Sequence, residues 1–229
     1  MNTTNYTSQI IDLSFLASNN EKSNADFLAD LHDETLCNSK LRDNAGIENL
    51  VFGNGNVNAD VFFIYDSPSE KDEHSRLAMS GEVGDFFFSL LSRIGISRND
   101  VYIAPIMKYR VKNGDSIRKP TLEEMSECLP ILKRQIEIVN PKIIIALGTT
   151  AFNGLLCKAT TLSVKNLRGK VFSFYGKNLV ITYGASFLTH YADDDIRKQF
   201  LDDISQAIAY SNLTSFQKIL VRLKQKLFG

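Results

Sequence analysis

Asp66 stands where the hydrophobic run Val61–Tyr65 stops, just ahead of Ser67-Pro68, with more acids at Glu70, Asp72 and Glu73. A carboxylate there is placed to orient water or to balance a developing positive charge. Open α/β sheets put their chemistry beyond the carboxyl ends of parallel strands. The plain alternative is a solvated loop. Gly148-Thr149-Thr150 opens a helix after a strand and offers N–H groups and hydroxyls to a phosphate; an ordinary helix cap has the same sequence. Lys108, Arg110 and Lys112 cluster near Arg118 and Lys119 as candidate phosphate contacts, against the common case of a solvated charged face. His32, His74 and His190 read as surface or packing residues, although His190 lies close enough to Gly184 in sequence to reach inward. Cys37, Cys128 and Cys157 form neither a CxxC pair nor a disulfide framework.

The elements that must position these groups follow from periodicity. Strands are expected at 61–65, 101–107, 142–148, 171–175 and 179–182, and helices over 26–43, 84–95, 121–139, 149–156, 194–210 and 213–228. Thr121 and Glu124 make a capping box, while 113–120 reads as a polar loop. Strands alternating with helices imply an α/β fold, a three-layer α/β/α sandwich around a mostly parallel sheet. Residues 1–25 read as an arm, 26–210 as the domain, and 211–229 as an amphipathic helix packed on it.

At 229 residues, with 44% hydrophobic and 23% charged residues, one substantial core is expected. Twenty-six basic residues balance 26 acidic ones, so a nucleic-acid surface has to be a local patch. Apolar stretches are too short to span a bilayer, and the amino terminus lacks a basic, apolar leader. A cytoplasmic monomer without membrane contact is the expectation.

Several segments then fall in a telling order: VFGNGN, the Pro68 loop, Gly81 and Gly84 opening a helix, DVYIAPIMKYR, PTLEEMSECLPILKRQIEIVNPKIIIALGTTA, NLRGK and ITYGAS. From about Cys37 to Ile204 the chain resembles the uracil-DNA glycosylase superfamily, closest to its iron–sulfur (family 4) branch. The resemblance puts Asp66 at the family carboxylate, with Tyr65, Ser67, Met79, Pro105, Tyr183 and Gly184 around the base. Met79 takes the place of a stacking aromatic residue, and Pro105 that of the asparagine that reads uracil. Gly184-Ala185 replaces the His-Pro pair that stabilises the leaving base. Contacts to DNA are implied for Ser69, Lys108, Arg110, Thr149, Thr150, Arg168, Ser186, Phe187 and Leu188, with Phe187 or Leu188 as the wedge. Cys37 and Cys128 match two of four cluster ligands, but Lys40 and Tyr109 occupy the other two places. No iron–sulfur cluster and no other metal is therefore expected.

The expected function is a DNA glycosylase acting on a flipped nucleotide. Sites stripped of groups that hydrogen-bond a substrate edge lose that discrimination. The base would then be a non-uracil, modified one, such as a hypermodified viral pyrimidine, and the product an abasic site. Repair and defence against foreign genomes both remain open. The alternative is a catalytically inactive glycosylase fold that binds DNA or a partner.

Overall fold

The computed structural model describes residues 22–114 and 116–212; most of the arm and the helix expected at 213–228 lie outside them. In chain order the elements are α1 (Asn24–Leu36), α2 (Ser39–Ala45), β1 (Asn54–Gly55), β2 (Val61–Tyr65), α3 (Glu70–Ser75), α4 (Glu82–Ser92) and β3 (Val101–Pro105). There follow β4 (Lys112–Asn113), β5 (Ser116–Ile117), α5 (Leu122–Val139), β6 (Ile143–Leu147), α6 (Thr149–Leu156) and α7 (Val164–Leu167). Last come β7 (Val171–Phe174), β8 (Lys177–Thr182), α8 (Ala185–His190) and α9 (Asp194–Ser211).

The strand order is β1-β3-β2-β6-β8-β7. The middle four strands are parallel and the two edges antiparallel. The central strands are buried on both faces, which is why they read as continuous apolar runs. Alternation still sorts their side chains. Phe62, Ile64, Tyr102, Ile144 and Ile181 face a core completed by α1, α5 and α6. Val61, Phe63, Ile103, Ile145 and Val180 face a second core with Phe87, Leu91, Phe200 and Ile204 of α4 and α9. The result is the expected three-layer sandwich.

Two local departures from the expected elements matter for the site. The acidic stretch after Pro68 is helix α3, opened by a capping box in which the Ser69 hydroxyl and the Asp72 carboxylate bond each other's backbone N–H. The loop expected at 113–120 contains a small hairpin, β4–β5.

The chain leaves β2 for the α4 face and leaves β6 for the α6 face. These two strands are neighbours, so their carboxyl ends flank the point where the connections diverge and a crevice opens. Asp66 follows β2 and Gly148 follows β6. Gly148 takes φ +89° at the turn into α6, a left-handed geometry open to glycine without strain.

Candidate active site

A cleft of about 920 Å³ lies along the carboxyl ends of β2, β6 and β8. Asp66 lines it, partly buried. Its backbone is tied to the loop after β3, since Tyr65 O accepts from Ile106 N at 2.8 Å and Asp66 O accepts from Met107 N at 3.0 Å. One carboxylate oxygen, Oδ1, accepts from Ser67 N at 2.9 Å. Burial raises the Asp66 carboxyl above its ordinary range; the Ser67 N–H and Lys119 pull the other way. The Ser67 Oγ is buried in this wall and has no hydrogen-bond partner among the described residues.

Asp72 organises the adjoining wall. It is 2% exposed. Its Oδ2 accepts from Tyr65 OH at 3.0 Å and from Ser69 N at 3.2 Å; its Oδ1 accepts from Ser80 N at 2.8 Å and Ser80 Oγ at 3.0 Å. One carboxylate thus links the Asp66 loop to the Met79 loop. Desolvation together with Asp72 pushes the Tyr65 hydroxyl well above the usual tyrosine range, so Tyr65 is a neutral donor. Met79 faces the cleft in a left-handed conformation, φ +54°. Arg98 donates to Ala78 O at 2.9 Å and also to Met79 O. Gly84 supplies the room, for a Cβ there would sit 1.8 Å from Met79 O.

Across the cleft stand Gly148, Thr149 and Thr150, then Tyr183, Gly184, Ser186 and Phe187. Tyr183 is anchored from behind, its hydroxyl donating to Gln199 Oε1 at 3.0 Å. Arg118 and Lys119, named with the candidate phosphate contacts, do line the mouth; sequence reasoning missed the rest of it: Ile117 and Pro120 from the hairpin arm, Ser163 and Lys165 from the α7 turn, and Tyr191. These residues come from segments far apart in the chain, and only the fold shows them sharing a rim.

The fold brings together Tyr65, Asp66, Ser67, Ser69, Met79, Thr149, Thr150, Tyr183, Gly184, Ser186 and Phe187. Four candidates do not join them as expected. Pro105 is buried, paired in register with Tyr65, and absent from the cleft wall. Lys108 is fully buried, its ammonium donating to Phe52 O at 3.0 Å, Pro105 O at 3.0 Å and Gln135 Oε1 at 2.8 Å. With three acceptors and no exposure it contacts no phosphate. Leu188 is fully buried beneath the loop, which leaves Phe187 as the wedge candidate. Arg168 lies off the cleft, forked onto Asp203 at 3.0 and 2.8 Å. Arg110 does reach the cleft, but its side chain is 10% exposed and pairs with Glu73 at 2.7 Å. None of the three histidines lines the cleft.

The places of the cluster ligands do not fit an iron–sulfur centre. Lys40 is exposed and pairs with Glu127 at 3.2 Å, and an ammonium has no lone pair to give. The Tyr109 hydroxyl accepts from Asn44 Nδ2 at 3.2 Å. Only the thiols of Cys37 and Cys128 remain, and among the described residues no three His, Cys, Asp or Glu side chains are grouped to hold a metal. No helix among the described residues is long and apolar enough to cross a membrane.

Comparison with known sequences agrees with this architecture. A sequence model of the uracil DNA glycosylase superfamily matches residues 52–209. The type-4 uracil-DNA glycosylase of Thermotoga maritima is 33% identical over 163 residues, covering 71% of this chain and 83% of that protein. The type-4 enzyme of Archaeoglobus fulgidus is 33% identical over 139 residues, 58% of this chain and 67% of its own. A DNA polymerase of Bacillus phage SP01 is 28% identical over 126 residues, which are 55% of this chain and 13% of the polymerase.

Proposed function

The chain belongs to the uracil DNA glycosylase superfamily, and on that footing we propose that it hydrolyses the N-glycosidic bond of a substituted pyrimidine other than uracil. The observation that carries this reading is the composition of the cleft wall. Among the described residues it offers the carboxylates of Asp66, Glu70 and Asp72, four basic side chains and many hydroxyls, but no asparagine, glutamine or histidine. An amide holds a donor and an acceptor side by side, as reading the uracil edge requires, whereas hydroxyls rotate to suit their partner. Such a wall discriminates weakly by hydrogen bonding and more by shape. At about 920 Å³ the cleft is near the upper end for small-molecule sites, with room for a ring and its substituent.

In this mechanism the C1′–N bond breaks with its electron pair leaving on the base. A water oxygen bonds to C1′, and the water proton passes to Asp66 or to solvent while the base anion gains a proton. The ionised Asp66 orients the water and faces the cationic sugar. Its part-buried setting strengthens that interaction by lowering the local dielectric. No imidazole assists the leaving base, so the chemistry favours a base whose substituent stabilises its anion. Met79 presses on the ring as a soft, polarisable surface, and Ser67 Oγ supplies a free hydrogen-bonding group beside Asp66. Phe187, 39% exposed at the mouth, fills the gap left by the flipped nucleotide. Thr149 and Thr150 hold the neighbouring phosphate.

A base-release assay tests this, using oligonucleotides that carry uracil, 5-substituted pyrimidines or damaged bases, with alkaline cleavage reporting abasic sites. Release confined to substituted pyrimidines is expected. Release of uracil alone overturns the specificity. DNA binding without release of any base would favour a second reading, a DNA-binding module, which Gly184-Ala185 at the histidine position also supports.

A further inference from the structure

Tyr183, Phe187 and Tyr191 form a ladder of rings rising from the cleft wall into solvent. The first pair lies 5.8 Å apart at 20° and the second 6.2 Å apart at 27°, both stacked. Exposure climbs from 4% through 39% to 77%. All three rings line the cleft that holds Asp66. The last turn of α8 sets Tyr191 over Phe187, its N–H donating to Phe187 O at 3.0 Å; Tyr183 enters the ladder from the end of β8, before the helix begins. The lowest ring is fixed by Gln199 and by the Arg168 guanidinium, 5.8 Å from its centroid. The top ring touches only Phe187 and the edge of His190 among ring contacts of the described residues, so burial gives folding little reason to place it there.

The same cleft also carries positive charge. Lys119 and Lys165 are exposed, line the cleft and form no ion pair among the described residues. Flat aromatic faces beside free cations match one ligand chemistry: unpaired bases on a phosphate backbone. In a duplex those base faces are covered by their neighbours.

We propose that the outer face of Tyr191, the exposed end of the ladder, stacks an unpaired base next to the target nucleotide, so that the protein takes its DNA single-stranded. The register of the strand rests on the glycosylase reading, which puts the target nucleotide at Asp66; the stacking itself does not.

The test is fluorescence anisotropy of the full chain with a labelled strand of ordinary bases, its duplex, and a strand of abasic spacers. None of these carries a base to be released, so the result stands apart from catalysis. Wild type should hold the single strand at least tenfold more tightly than the duplex or the abasic strand. Tyr191→Ala should weaken single-strand binding about five- to a hundredfold, the range for one lost base–aromatic stack, and Tyr191→Trp should restore it. Duplex binding should not change. Single-strand binding by Tyr191→Ala equal to wild type, or a wild-type preference for duplex, overturns the proposal. Stacking without base release in the separate assay would instead strike the proposed activity alone.

Discussion

Replacing Lys108 with methionine separates a core lysine from a phosphate-binding one. The side chain is fully buried, and burial pushes its ammonium down to about 7, with Cys128 opposing. An unfolded lysine near 10.5 stays protonated between pH 7 and pH 10 while the folded one releases its proton. The unfolded chain then binds more protons, so stability rises with pH across that window and falls as pH returns to 7. At about 1.4 kcal/mol per pH unit, this single group makes wild type more stable at pH 10 than at pH 7 by on the order of 3 kcal/mol. Lys108→Met lacks the group and therefore the slope. The substitution also orphans Pro105 O and Gln135 Oε1, whereas Phe52 O keeps the Gln135 Nε2 donor at 3.0 Å. That cost, about 1–3 kcal/mol for each orphan, shifts the two curves apart without tilting either. Tyr102, raised by burial, is present in both proteins and cancels in the difference. Urea unfolding of both proteins at pH 7, 8, 9 and 10 reads the effect directly. Parallel curves would refute the reasoning, as would a drop of about one in the slope of log affinity for DNA against log salt, the mark of a lost phosphate contact.

Three more expectations follow from the site. Base release needs ionised Asp66, which burial holds above the ordinary aspartate range; the acid limb of the pH–rate profile should therefore lie above that range. Lys119→Gln should move the limb further up, and a downward move would contradict the coupling. Asp72→Asn puts amide hydrogens against Ser69 N or Ser80 N and weakens the link between the two loops; it should cost about 2–4 kcal/mol in urea unfolding. A loss below about 1 kcal/mol would show that the link carries little. Anaerobically purified protein should show no broad charge-transfer absorption in the visible, and a band accompanied by about four irons per chain would reverse the reading of Lys40 and Tyr109.

The sandwich was legible because its strands are short apolar runs and its helices carry local stop and start signals, such as Thr121 with Glu124. Asp66 was legible for a related reason, since a carboxylate ending a buried strand marks the rim of a parallel sheet. Lys108 was not. In the run Lys108-Tyr109-Arg110 it looks like a charged surface, and the acceptors that bury it come from Phe52 and Gln135, far away in the chain. The Ser69–Asp72 capping box was present in the sequence, but its acids read as a solvated loop. Only the fold shows that the same Asp72 reaches Ser80 and Tyr65. The aromatic residues at 183, 187 and 191 recur every fourth position, yet without the structure nothing says that their rings line a cleft. Lys119 and Lys165 meet Asp66 across a rim built from three separate connections, a coincidence that no local pattern encodes.

The most direct test of the central claim is single-turnover base release by wild type and Asp66→Asn on the DNA that wild type cleaves best, with DNA affinity measured alongside. Losing a positioned carboxylate should slow release by about 10²- to 10⁴-fold and leave affinity unchanged. Release at the wild-type rate, or a loss matched by an equal loss of affinity, would contradict a catalytic role for Asp66.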